Sequence, residues 1–173
     1  PVIFDKDLYA TRRSGEDDII KNSAVNFYKG DISKEDVENF YDAQRVPNDA
    51  TPISYGLNSK LVKENGKIYE DVYKSGGLYG EAIDQIIYWL EKANTVAEND
   101  AQRNYTNLLI NYYKTGDLNI WDEYNVAWVQ DSVSMIDYVN GFIEDYGDPM
   151  GMKATWEAVV NFKDLEATKR SSI

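Results

Sequence analysis

Apolar residues recur at helical spacing through the middle of the chain. Tyr79, Ile83, Ile86, Ile87, Leu90, Ala93 and Ala97 keep one face, with Glu81, Asp84 and Glu91 outward. This predicts an amphipathic helix. A second helix is expected over about 100–115, carrying Tyr105, Leu108, Leu109, Tyr112 and Tyr113, with Gly116 just past its end. Asp117 can cap a third, which runs through Leu118, Trp121, Tyr124, Asn125 and Trp128. Upstream, Ser33-x-x-Asp36 has the form of a capping box. It opens a helix of about 34–45 with Val37, Phe40 and Tyr41 on one side, closed by Val46-Pro47. Alternation by twos marks the strands. Ser23 to Tyr28 reads as a short strand ended by Gly30. Leu57–Val62 and Lys67–Tyr73 flank Asn65-Gly66, a pair suited to a type I′ turn. After Phe162 the chain turns polar, and 164–170 reads as a short helix. The fold class is α+β: a helical block packed with small antiparallel hairpins that belong to a larger sheet. The segments are 1–22 irregular, 23–75 helix and hairpin, 79–128 helices, and 134–163 a second hairpin.

That second hairpin carries the densest pattern. In a strand, Asp137, Val139, Gly141, Ile143 and Asp145 point one way. Ile136, Tyr138, Asn140, Phe142, Glu144 and Tyr146 point the other way. Gly147 to Gly151 is turn material, with Asp148-Pro149 starting the turn. A four-residue loop at 148–151 would set Tyr146 opposite Lys153, Glu144 opposite Thr155 and Phe142 opposite Glu157. Glu144, Tyr146 and Glu157 would then share one face. On pattern alone, Glu144 is a surface-strand glutamate and Tyr146 an amphipathic tyrosine of a half-buried strand. Asp145 and Asp148 read as turn and surface residues. The aromatic stripe that includes Trp128 reads as core.

Composition narrows the chemistry. At 173 residues the chain has the size of one domain. Eighteen basic and 30 acidic residues leave a net charge of −12, which repels nucleic acid and anionic membrane. The absence of cysteine removes disulfide and thiolate chemistry. The absence of histidine excludes a His-based triad and any His-containing zinc site within this chain. No apolar run approaches the ~20 residues of a membrane span. Ser75-Gly76-Gly77 is followed by no phosphate-loop pattern and reads as a connector. The chain begins at Pro1, without Met or a signal-peptide pattern, and reads as an excised piece of a longer protein. A cytoplasmic location is expected.

Four groups of residues carry a resemblance: Trp128-Val129-Gln130-Asp131, Gly141-Phe142-Ile143-Glu144-Asp145-Tyr146, Asp148-Pro149 and Glu157. In this register they resemble the dipeptidyl peptidase III family of zinc aminopeptidases, in the bacterial style. The resemblance implies a piece of the lower lobe of a two-lobed peptidase, with 134–163 as a substrate-cleft hairpin. It implies that Glu144 holds the substrate's N-terminal ammonium and that Tyr146 assists catalytically at the scissile carbonyl. Trp128 would line the cleft and Glu157 would add negative potential beside the ammonium. Trp156, before Glu157, departs from the animal-type pattern and bears on subsite shape. In the family, zinc is held by a His-Glu-x-x-Gly-His-type helix and a further Glu, which this chain lacks. The expectations are zinc as cofactor of the parent and none in this chain, which alone is inactive. The expected partners are short peptides with a free N-terminus and the remaining lobe, with no nucleic acid and no membrane. Two other classes stay open. One is a non-catalytic acidic module that binds peptide or protein. The other is a glycosidase using Glu144 and Glu157, whose carboxyls would then stand ~5 Å or ~6.5–9.5 Å apart.

Overall fold

Near its start the chain builds a small sheet around one helix. The computed structural model describes residues 11–15 and 17–171. Residues 1–10 and 16 of the expected irregular stretch lie outside the described residues. Strand β1 (Tyr28–Lys29) pairs in parallel with β2 (Ser59–Glu64), which pairs antiparallel with β3 (Lys67–Val72). Asn65 and Gly66 join β2 to β3 with φ of 52° and 76°, as a type I′ turn requires. The strand expected over 23–28 is reduced to two residues, and Gly30 at φ 88° turns the chain off the sheet edge directly after them. Helix α1 (Lys34–Asp42) starts with a closed capping box. The Asp36 N–H donates to Ser33 Oγ at 3.1 Å, and the Ser33 N–H donates to Asp36 Oδ2 at 3.0 Å. Aspartate thus does here what glutamate usually does. Val37 and Tyr41, one helical turn apart, are buried with Ile20, Ile32 and Leu61 as a first core.

The helical block follows as α2 (Gly80–Asn94), α3 (Asp100–Thr115) and α4 (Leu118–Gln130). Asn99 caps α3 and Asp117 caps α4 through their side-chain oxygens. Ile83, Ile87 and Leu90 of α2 meet Tyr105, Leu109, Tyr112 and Tyr113 of α3, and α4 adds Trp121 and Tyr124. The rings of Tyr112 and Trp121 lie 4.9 Å apart. Tyrosine is the main bulk of this second core, and its phenols are tied where they reach strand residues. Tyr113 donates to Asn140 Oδ1 at 2.7 Å and accepts from Trp156 Nε1 at 2.8 Å. Tyr138 bonds Thr106. No helix among the described residues is long and apolar enough to cross a membrane.

The last hairpin is β4 (Ile136–Glu144) with β5 (Thr155–Phe162), followed by α5 (Leu165–Ser171). Its register differs from the one expected. Glu144 does face Thr155, but Phe142 faces Trp156 and Gly141 faces Glu157. A bulge at Ile143 absorbs the offset. The connection is also longer than four residues, running from 145 to 154. Its returning limb bonds elsewhere: Ala154 N–H donates to Leu57 O at 2.9 Å, so it does not continue the ladder toward Tyr146.

Gly141 sits where β4 crosses α4. A Cβ there would lie 2.4 Å from Trp121 Cη2 and 2.6 Å from Cζ3, inside the ring's contact distance. Gly141→Ala is expected to destabilise the chain by about 1–3 kcal/mol, as overpacking of a filled core does. Urea denaturation measures this. A loss below about 0.5 kcal/mol would mean the indole is free to shift.

Candidate substrate-binding site

The bulge decides which side chains meet. In an unbroken strand, Glu144 would fall on the Phe142 face, which turns into the core against Tyr73 at 4.8 Å. One extra residue at Ile143 moves Glu144 to the Gly141 face. Glu157, paired with Gly141, projects from that face too. The two carboxyls are within hydrogen-bonding reach of each other. This contact holds the Glu144 carboxyl above the usual carboxylate range. Slight desolvation and the charges of Glu157 and Asp145 add to the shift. The result is a half-buried acidic pair in which Glu144 holds a proton more readily than an isolated carboxylate.

Tyr146 is not on the strand. β4 ends at Glu144, and Tyr146 stands in the loop with its side chain 67% exposed. Trp128 is also apart from the acidic pair. Its Nε1 donates to Asp137 Oδ1 at 2.8 Å, and Asp137 is four residues, roughly 13 Å, along β4 from Gly141. The structure thus brings together Glu144 and Glu157 and leaves Tyr146 and Trp128 on either side of them.

Asp148, expected at the surface, is fully buried. Its Oδ1 accepts from Tyr28 OH at 2.8 Å, and its Oδ2 accepts from the N–H groups of Met152 and Lys153 at 2.8 and 3.0 Å. Lys153, expected to face Tyr146, is buried as completely. Its Nζ donates to Tyr41 OH at 2.7 Å, to Ser59 O and Oγ at 3.1 Å each, and to Gly56 O at 3.3 Å. The two N–H bonds to Asp148 are ordinary turn contacts, and what buries the pair, Tyr28 for Asp148 and Tyr41, Gly56 and Ser59 for Lys153, lies about 90 to 120 residues upstream.

The opposite face of the hairpin is apolar. One groove of about 510 Å³ runs between α2 and Tyr138, Trp156 and Val160. Another of about 640 Å³ is lined by Phe27, Tyr79, Phe142 and Trp156. Glu144 and Glu157 line neither. Among the described residues there is no group of three or more potential metal-ligating side chains. Glycoside cleavage is not favoured, because such a carboxyl pair must flank a sugar-sized cleft and neither groove is lined by Glu144 or Glu157.

The sequence as a whole falls in a peptidase lineage. The model of peptidase family M49 matches residues 17–172, and the chain belongs to that family. It is similar to dipeptidyl peptidase 3 of Rattus norvegicus, at 30% identity over 94 residues covering 53% of this chain and 13% of the relative. The Homo sapiens protein of the same name is 31% identical over 88 residues, covering 49% of this chain and 12% of the relative. The solved DPP III of Caldithrix abyssi superposes with a TM-score of 0.66 at 25% identity, covering 84% of this chain and 26% of that one. Dipeptidyl-peptidase III of Corallococcus sp. strain EGB shares the fold, with a TM-score of 0.63 at 19% identity over 85% of this chain and 26% of that one. The chain therefore spans about a quarter of the length of these solved relatives.

Proposed function

We propose that this chain is the peptide-holding part of a zinc-dependent dipeptidyl peptidase, one portion of a lobe that faces a zinc-bearing lobe. The observation that carries the reading is the meeting of Glu144 and Glu157 on one face of the hairpin. Two carboxylates forced together repel and retain a proton. A peptide's N-terminal ammonium relieves that repulsion and donates charge-assisted hydrogen bonds to both. The body of the peptide then runs extended along the hairpin, in the manner of an added strand. Zinc, carried by the rest of the enzyme, would supply the activated water. Trp128 marks one end of the run and Tyr146 the other. The partners are short peptides with a free amine and the remaining lobe.

The test is Glu144→Gln in the intact enzyme. Losing one charge-assisted hydrogen bond of roughly 1.5–3 kcal/mol should lower kcat/KM for free-amine peptides at least about tenfold. Acetylated peptides should be poor substrates of both forms. The wild type should also lose affinity as pH falls through the raised carboxyl range of Glu144, and the variant should lose that dependence. An unchanged kcat/KM for free-amine peptides would remove Glu144 from this role. An intact protein that binds peptides without cleaving them would favour the acidic binding module.

A further inference from the structure

A lysine in a hairpin loop ordinarily extends its ammonium into water. Lys153 turns inward and is fully buried. Its Nζ reaches one oxygen on α1, two on Ser59 of β2 and one on the turn at Gly56. Tyr41 and Ser59 pass the interaction on to β3, each donating to Glu70 Oε1, at 2.7 and 2.6 Å. The ring of Tyr41 lies 5.1 Å from Nζ and that of Tyr28 5.9 Å. A buried ammonium persists only when it is paired and hydrogen-bonded. Here Glu70 and Asp148 supply the opposing charge. Burial pushes the group below its usual range and these two carboxylates pull it part of the way back, leaving it at about 8 and mostly charged at neutral pH.

The consequence falls on the loop. Beside Lys153, the N–H of Met152 is held by Asp148 and the N–H of Ala154 by Leu57. Glu144 and Glu157 belong to a strand ladder and have their own restraint. Tyr146 lies between Glu144 and the Asp148 anchor, beyond the ladder's end. We propose that Lys153 is a positioning residue, clamping residues 145–154 to the first core so that Tyr146 is held beside the substrate path. This rests on the peptidase reading for what Tyr146 does, but not for the clamp itself.

Two variants and two readouts test it. Lys153→Met removes the ammonium. Tyr41→Phe removes a single oxygen of the cage and serves where the first fails to fold. In the 173-residue chain, hydrogen exchange should quicken over 145–154 in either variant and stay unchanged in α3 and α4. In the intact enzyme, Lys153→Met should lower kcat by about tenfold with KM little changed, and should cost less than about twofold when added to Tyr146→Phe. Unaltered exchange over 145–154 in both variants overturns the clamp. An equal kcat loss in the wild-type and Tyr146→Phe backgrounds overturns positioning in favour of general structural damage. If the intact protein cleaves no peptide while the loop exchange quickens, the clamp stands and the peptidase reading falls.

Discussion

Tyr146→Phe in the intact peptidase lowers kcat by roughly 10²-fold with a modest change in KM, the scale expected for one lost donor to a developing oxyanion. Tyr146 is two residues beyond Glu144, at most about 7 Å of backbone. Two residues of an extended peptide also span about 7 Å, so an amine seated on Glu144 and Glu157 brings its second peptide bond level with Tyr146. On the proposed reading, that spacing suits release of a dipeptide. A phenol there gains most as the carbonyl oxygen gains charge, so its loss appears in kcat more than in KM. The side chain is 67% exposed, and losing the hydroxyl should barely touch stability. Steady-state kinetics at matched zinc content decides. A kcat equal to wild type would make Tyr146 a solvated loop residue and nothing more.

Above pH 10 the chain should unfold abruptly. Six tyrosines, Tyr41, Tyr73, Tyr105, Tyr112, Tyr113 and Tyr124, are between 0% and 4% exposed. Burial drives each phenol well above its usual 10. The folded chain therefore keeps protons that the unfolded chain gives up above pH 10. The stability is intact below that value and is lost as pH rises. Each tyrosine removes about 1.4 kcal/mol per pH unit once the unfolded form is ionised, roughly 8 kcal/mol per unit for six. Lys153 works in the opposite sense. Its lowered value costs stability below about 8, and that cost is relieved as pH climbs toward 10.5. One group cannot offset six. Against a total stability of about 5–15 kcal/mol, the transition should fall within one to two units above pH 10. Far-ultraviolet ellipticity and tyrosinate absorbance should change together. Titration of all 14 tyrosines near 10 with the helices intact would contradict the burial of these six.

What could be read from the sequence was what neighbours in sequence determine. The span of α3, the Asp117 cap and the Asn65-Gly66 turn rest on local backbone chemistry, and each stands where expected. The meeting of Glu144 and Glu157 was also legible, although through the wrong register. An unbroken strand and a short loop misplace Phe142 and Tyr146, yet leave the two glutamates on one face. The bulge was not legible, because the returning strand takes its register from Leu57, Asp148 and Lys153. The burial of Asp148 and Lys153 depends on Tyr28, Tyr41 and Ser59, far away in sequence. Trp128 kept its place on α4, but its link to Asp137 is a tertiary contact that helical spacing does not encode.

The bulge at Ile143 also bears on how such a chain can change over generations. Between Asp137 and Phe142 both faces are already committed, through Tyr138, Asn140 and Phe142 to Thr106, Tyr113 and Tyr73 and through Asp137 and Gly141 to Trp128 and Trp121. A single-codon insertion or deletion there inverts every residue on one side of it. Losing one residue at the bulge instead leaves the aromatic core as it was and restores the regular ladder, with Glu144 still opposite Thr155 and on the face of Glu157. The position most able to lose a residue is thus one where the loss disturbs neither the core nor the acidic pair, and descendants without the bulge residue would keep both.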